Sequence, residues 1–349
     1  MKSLIVLTVR NEGAFLLEWL AHHRAVGFSD FLVFSNDCQD GTDTMLDRLA
    51  QMGWLQHERN PPPHDRGGIQ FTALKRADKL EIVRQADWLL TLDIDEFVNI
   101  HTGDHSLQAL LQALPQASAI TLTWRLFGNA GIDAFDDRPV TRTFSRCAPA
   151  VMFWPWRTTM FKTLYRNDGT YRKLGVHRPR SPVADRLPAA RWFDGEGREL
   201  DDRFKIKRLF SDYGRPNHRL VQLNHYPLGA MQSYVVKSDR GRAVHADQRL
   251  GMDYWVERNF NTDTDVSIDR IAPRRDPLLQ ALHADPVLAE LQAAAVAWRH
   301  ARFRALVEQE PFRALYARLQ MTPGSIPLTA AQARILTRHA LRGQRNQKV

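Results

Sequence analysis

The chain has only two cysteines, Cys38 and Cys147, in 349 residues. Two thiols cannot build a disulfide framework, so the cysteine-stapled secreted class is excluded and a reducing, cytoplasmic setting is expected. Long apolar runs are missing as well. Leu4–Val9 falls far short of the roughly 20 residues that a membrane-spanning helix needs. The short apolar stretch behind Lys2 gives way at once to Arg10, Asn11 and Glu12, which is not the pattern of a secretory leader. There is no Gly-x-Gly-x-x-Gly after the first strand, no P-loop motif, no His-Glu-x-x-His and no zinc-type cysteine cluster. Dinucleotide-binding, P-loop, zincin and structural-zinc readings lose their main support. Internal repeats and low-complexity blocks are absent, and so is any acidic residue from Thr322 onward.

What remains is globular material, 44% hydrophobic and 25% charged, enough for a sizeable core spread over about two domains. The net charge is +9, and the acid-free tail carries Arg334, Arg338, Arg342, Arg345 and Lys348 between Ile335, Leu336 and Leu341. That composition predicts a solvated tail or a contact with an acidic lipid or nucleic-acid surface.

The first half alternates two periodicities. Ser3–Val9, Phe31–Ser35, Trp54–His57, Trp88–Asp93 and Ala119–Phe127 read as strands, and Glu12–Val26, Asp43–Gln51, Phe71–Ala86 and Leu107–Leu114 as helices. This order predicts an α/β fold, a mainly parallel sheet with helices on both faces. After Gly128 the pattern loosens, with strands expected over Arg157–Tyr165 and Arg219–Leu223. From Asp276 it turns helical, and Asp276–Pro277 and Asp285–Pro286 each place a capping residue before a proline at the first helical position. Domain boundaries are expected near residues 128 and 270.

Asp93–Ile94–Asp95–Glu96 follows an apolar strand directly, at the carboxyl end where ligands of parallel sheets gather. If the strand continues, Asp93 and Asp95 point the same way. Two adjacent carboxylates repel unless a cation joins them, and magnesium or manganese is typically held by one or two carboxylates and substrate phosphates. A solvated acidic turn is the plainer alternative. Two further strand ends are polar: Arg10–Asn11–Glu12, and Asn36–Asp37 with Asp40–Gly41–Thr42. They are placed to contact a nucleotide's base and ribose, or to cap the helices that follow.

These segments, with Glu18–Trp19–Leu20 and Phe97, resemble family 2 glycosyltransferases of the GT-A type, in the bacterial branch similar to family 92. Trp124 with Phe127–Gly128, Val176–His177 with Pro179, Asn224–His225–Tyr226, and Ser233 with Lys237 and Arg240–Gly241 extend the resemblance over roughly residues 3–245. It implies a GT-A-like fold, with residues 1–128 as the nucleotide-sugar-binding half, 129–270 as the acceptor and catalytic half, and 271–349 as a helical C-terminal extension with a basic tail. It also implies a nucleoside diphosphate sugar donor, a divalent cation (manganese or magnesium), a glycan or lipid-linked acceptor and inversion at the anomeric carbon. No Glu-Asp pair stands out as the acceptor-side base.

On that resemblance, Arg10, Asn11, Glu12, Asn36, Asp37, Asp40 and Asp93 are expected around the donor. Asp93 and Asp95 are expected at the metal, with His225 as third ligand because it follows a strand. Lys162, Lys237 and Arg240 would neutralise the leaving diphosphate, where negative charge grows in the transition state. His177 would bind acceptor or phosphate, and Trp124 a sugar face. The same-fold rival is a nucleotidyltransferase, which would need a glycine-rich basic loop after the first strand. A non-enzymatic nucleic-acid binder would need a concentrated basic face, and here much of the excess charge sits in a tail. That tail is expected to allow peripheral contact with the inner membrane.

Overall fold

The computed structural model describes residues 1–65, 67–239 and 250–346, and the side chains of the last helix to residue 343. Strands β1 (Ser3–Val9), β2 (Asp30–Ser35), β3 (Gln56–Arg59) and β4 (Trp88–Leu92) run parallel in the order β3-β2-β1-β4. Helices α1 (Gly13–Val26), α2 (Thr42–Gln51), α3 (Ile69–Ala77) and the short α4 (Glu81–Gln85) connect them. Strand β1 is buried on both sides, which is why it reads as a nearly unbroken apolar run. Ile5, Leu7 and Val9 share a core with Leu16, Trp19 and Leu20 of α1, while Leu4 and Val6 pack with Ala73, Leu74 and Ala77 of α3.

The sheet continues through β5 (Glu96–Ile100), β6 (Ala119–Leu126), β7 (Phe161–Arg166), β8 (Trp192–Asp194) and β9 (Val221–His225). Its order is β3-β2-β1-β4-β7-β6-β9-β5, with β8 beside β6. Strand β7 is antiparallel to β4 and β6, β9 is parallel to β6, and β5 closes the edge antiparallel to β9. Helices α5 (Leu107–Ala113) and α6 (Val140–Thr143) lie in the connections before and after β6, and α7 (Met231–Asp239) follows β9. The result is the expected α/β architecture, mainly parallel in its first half and mixed in its second.

Several expectations shift. The single helix over Phe71–Ala86 is broken at Asp78–Leu80 into α3 and α4, and the third strand lies two residues later than its pattern suggested. Strand β5 had no counterpart in the sequence reading. Residues Trp156–Thr159 form a 3-10 turn, so that strand begins only at Phe161.

The C-terminal helices are α8 (Ala272–His283), α9 (Pro286–Val307), α10 (Glu310–Met321) and α11 (Ala330–Asn346). Asp285 caps α9 as expected, accepting from the Leu288 N–H at 3.0 Å, and also pairs with Arg48 of α2 at 2.5 Å. Asp276 caps nothing. Helix α8 starts at Ala272, Pro277 lies inside it, and Asp276 pairs with Arg142 and Arg275 instead. Helix α9 packs on α1, α2 and α7, so the extension covers one face of the sheet domain. No helix among the described residues is long and apolar enough to cross a membrane.

Candidate active site

Three polar segments meet at the carboxyl edge of β1, β2 and β4. Two residues there, Asn11 (φ 56°) and Asp37 (φ 44°), have left-handed backbones, a conformation that Asn and Asp tolerate better than other non-glycine residues. The Asn11 side-chain oxygen accepts the Gln39 N–H at 2.7 Å, tying the two loops together. Asp40 is spent on scaffold: it accepts from the Gly13 N–H (3.0 Å), the Thr42 N–H (3.0 Å) and the Thr42 hydroxyl (2.6 Å). Thr42 in turn accepts the Glu12 N–H at 2.9 Å. Asn36 donates to the Val9 carbonyl and accepts from Asn60, a buried stitch between strand ends. Of the expected donor-side set, Asp37 is exposed, Arg10 is half-buried, and Asn11 and Glu12 are buried.

Strand β4 stops at Leu92, and the acidic segment turns. Glu96 causes the turn: its buried carboxylate accepts the Asp93 N–H at 2.8 Å and the Trp124 indole N–H at 2.6 Å. Asp93 and Asp95 therefore diverge toward different cations. Asp93 accepts from Lys162 at 2.8 Å and from Gln70 at 2.9 Å. Asp95 accepts from Lys237 at 2.6 Å and lies 3.6 Å from His225 Nε2. Lys162 is fully buried and also stands 3.4 Å from Glu96. Burial works against each of these charges. The lysines more than offset it at the aspartates, holding Asp93 below the ordinary carboxylate range and Asp95 well below. At Glu96 burial wins, and its pKa is pushed up to about 8. Asp93 and Glu96 likewise hold the Lys162 ammonium above the usual lysine range despite its burial.

The histidines divide. His177 donates from Nδ1 to the Phe161 carbonyl at 3.1 Å and meets Trp124 edge-on; burial lowers its pKa to about 4. His225 ends β9 with its ring 4.2 Å from that of Trp124, and burial lowers its pKa against the pull of Asp95. Its Nδ1 is buried without a partner among the described residues. Trp124 is thus a buried strut, 7% exposed, and not an open sugar platform. Arg240 lies outside the described residues.

The described residues hold no group of three His, Cys, Asp or Glu side chains that could bind a metal together. Of the expected ligands, Asp95 and His225 form a suitable pair. Ligands on one magnesium- or manganese-sized ion, each at about 2.1 Å, stand roughly 3–4 Å apart, and phosphate oxygens and water usually complete such a shell. Their 3.6 Å separation meets that requirement. Asp93, turned to Lys162 and Gln70, stands outside the pair. Gln70 and Glu96 were not anticipated. Glu96 was visible as the fourth residue of the acidic run; Gln70 carried no signal beyond its place near the start of a helix.

The family model for glycosyltransferase family 92 matches residues 8–185. Among curated proteins, a family 92 glycosyltransferase of Ricinus communis is 27% identical over 101 residues, 28% of this chain and 17% of its own length. One from Oryza sativa subsp. japonica is 24% identical over 156 residues, 41% of this chain and 24% of its own. The matches thus span a quarter or less of these relatives. Among solved structures, S. aureus TarS 1-349 in complex with UDP-GlcNAc aligns over 92% of this chain and 88% of its own, at 13% identity and a TM-score of 0.33. The galactosyltransferase LgtC with donor and acceptor sugar analogs aligns over 81% and 97%, at 15% identity and a TM-score of 0.32.

Proposed function

We propose, from the premise that this chain belongs to glycosyltransferase family 92, that it transfers a sugar from a nucleoside diphosphate donor to an acceptor hydroxyl. The observation that carries this is the pair Asp93 and Asp95 at the end of a buried parallel strand, each clamped by its own lysine. The likeness to family 2 enzymes, drawn from the same motifs, belongs to this proposal.

In such a reaction the bond between the anomeric carbon and the β-phosphate oxygen breaks and the acceptor oxygen bonds to that carbon. The diphosphate leaves with the electron pair, and the acceptor's proton passes to a base. With inversion, the two events occur on opposite faces of the sugar. Asp37, Asn11 and Arg10 face the base and ribose, and Asp93, kept ionised by Lys162, orients the ribose side. Asp95 and His225 would hold manganese or magnesium, whose charge counters that growing on the departing phosphate. Lys237, paired with Asp95, supplies further positive charge there. The acceptor is the hydroxyl of a glycan or lipid-linked saccharide.

The test is calorimetric titration of nucleoside diphosphate sugars in the presence of manganese, with wild type and Asp37→Ala. We expect donor binding in wild type and a weakening of at least several-fold in the variant, at an unchanged thermal midpoint because Asp37 is exposed. Equal donor affinity in both proteins would remove Asp37 from the site, and no binding of any nucleotide sugar would end the glycosyltransferase reading.

The proposal includes a peripheral membrane contact through α11. Arg334, Arg338 and Arg342 recur every four residues and therefore share a face, and Ile335 and Leu341 are 52% and 53% exposed. Each basic residue near an anionic leaflet contributes about 1 kcal/mol. A chain ending at Met321 should lose sedimentation with phosphatidylglycerol vesicles. Equal sedimentation of both chains would leave the tail as solvated charge.

A further inference from the structure

A pocket opens beside the ion pairs, with ≈ 720 Å³ of empty space that includes its solvent-open mouth. Asp95 and Lys237, which bind each other at 2.6 Å, both line it, as does Glu12. The transfer centre and this pocket therefore share a wall. Most of the remaining lining is apolar: Phe15, Ile132, Phe135, Val140, Phe144 and Leu228. The aromatic part is held rigidly. Phe15 and Phe135 meet edge-to-face at 5.8 Å, and the Arg299 guanidinium stacks over both rings, 4.5 Å from one centroid and 5.5 Å from the other. Arg299 is buried and reaches Ser233 of α7, so α7 and α9 brace this wall. The segment 132–144 is braced as well, because Glu18 of α1 accepts the N–H groups of Val140 and Thr141.

A free sugar or a polar glycan is recognised by converging hydrogen-bonding groups, and rows of phenylalanine and aliphatic side chains offer it little. Pockets with apolar walls and a few polar groups are the usual sites for small molecules with an apolar body. Phosphates and ribose would leave such walls unused.

We infer that this pocket seats the apolar aglycone of the acceptor, an alkyl or isoprenyl chain attached to the sugar or phosphate whose hydroxyl is glycosylated at Asp95. The inference rests on the transferase reading and narrows its acceptor to one with an apolar tail. An acceptor hydroxyl held near Asp95 leaves its tail one direction to run, along Phe15, Phe135 and Phe144. Each buried methylene tightens binding about fourfold, so seating three or four of them gives on the order of 10²-fold over a methyl group.

The test measures binding without requiring turnover. Octyl β-glucoside, below its micellar concentration, and methyl β-glucoside are titrated into the full chain by calorimetry. The proteins are wild type, Ala134→Trp and Ile132→Asn. Ala134 lines the pocket at an exposed position, so a tryptophan there narrows the entrance without entering the core; Ile132→Asn makes the wall polar without filling it. We expect octyl glucoside to bind on the order of 10²-fold more tightly than methyl glucoside. Either variant should remove at least tenfold of that preference, with the thermal midpoint unchanged in Ala134→Trp and lowered in Ile132→Asn, whose side chain packs on the main core. Equal binding of the two glucosides, or an octyl preference that survives both variants, would overturn the assignment. Displacement of bound octyl glucoside by uridine diphosphate would make the pocket part of the donor site, and would overturn it too. Hydrolysis of donor sugar by wild type in the absence of acceptor is assayed separately. Its failure counts against the transferase reading, while the octyl comparison decides the pocket.

Discussion

Asp95→Asn is expected to lower transfer or donor hydrolysis by about 10²–10³-fold, the loss typical when one preorganised charge-stabilising group is removed. The substitution keeps the shape of the side chain but takes a negative charge from a point where Lys237 and His225 converge. Manganese or magnesium would lose its only carboxylate in the Asp95–His225 pair. The sequence alone suggests that the apo protein would gain stability, because two neighbouring carboxylates repel. The structure reverses that sign: Asp95 has a lysine 2.6 Å away, so its neutralisation strips a partner from a largely buried ammonium. A small loss of stability should accompany the large loss of rate. Assays of both proteins with and without EDTA check the two halves together. A variant within a few-fold of wild type would remove Asp95 from the machinery. Full wild-type activity in EDTA would leave Lys237 as the resident cation of Asp95.

Lys162→Met should be the most destabilising single change in the site. Its ammonium is fully buried between Asp93 and Glu96, and removing one partner of a buried ion cluster costs about 3–5 kcal/mol because a charge is left unpaired. The lower end of that range applies. Asp93 keeps 38% of its side chain exposed, and Glu96 can take up a proton near pH 8. Urea midpoints would read the effect. Measured above pH 8, adding Glu96→Gln to Lys162→Met should recover part of the loss, since the double variant no longer has to ionise or protonate a buried, unpaired carboxyl group; simple additivity would show that the two side chains do not interact. A Lys162→Met chain as stable as wild type would mean that the ammonium compensates nothing.

The legible parts of this molecule are those in which one local signal dominates. Strand β1, the end of β2 and β4 are apolar runs cut off by polar residues, and their ends meet at one edge of the sheet. Lys162 fell on the strand expected for it, His225 ends a strand that runs two residues beyond the expected Arg219–Leu223, and with Lys237 they converge on the two aspartates. What escaped was set by distant partners. Glu96–Ile100 is a strand only because β9 pairs with it, residue Phe97 opposite Asn224, and nothing local announces that. Asp93 and Asp95 diverge because the Glu96 side chain folds back on the Asp93 N–H, whereas simple alternation sets them side by side. Asp40 and Asn36 look like ligand residues by type, yet their polar atoms are consumed in bracing the loops. Trp124 looked like an open ring and is a strut, since its indole N–H has a buried acceptor 2.6 Å away.

The edge strand β5 also sets an order of events during synthesis. Asn99 must wait for Asn224, 125 residues later, before its side-chain partner exists. At 5–20 residues per second a ribosome needs roughly 6–25 s to make that stretch. Throughout that interval an apolar segment, Phe97–Ile100, hangs from the emerging chain with its backbone unpaired, and the acidic turn before it lacks Lys162, His225 and Lys237. The candidate site therefore cannot be completed before Lys237, when just over two-thirds of the polypeptide has been made, and until then the nascent chain exposes a sticky strand that the finished protein buries.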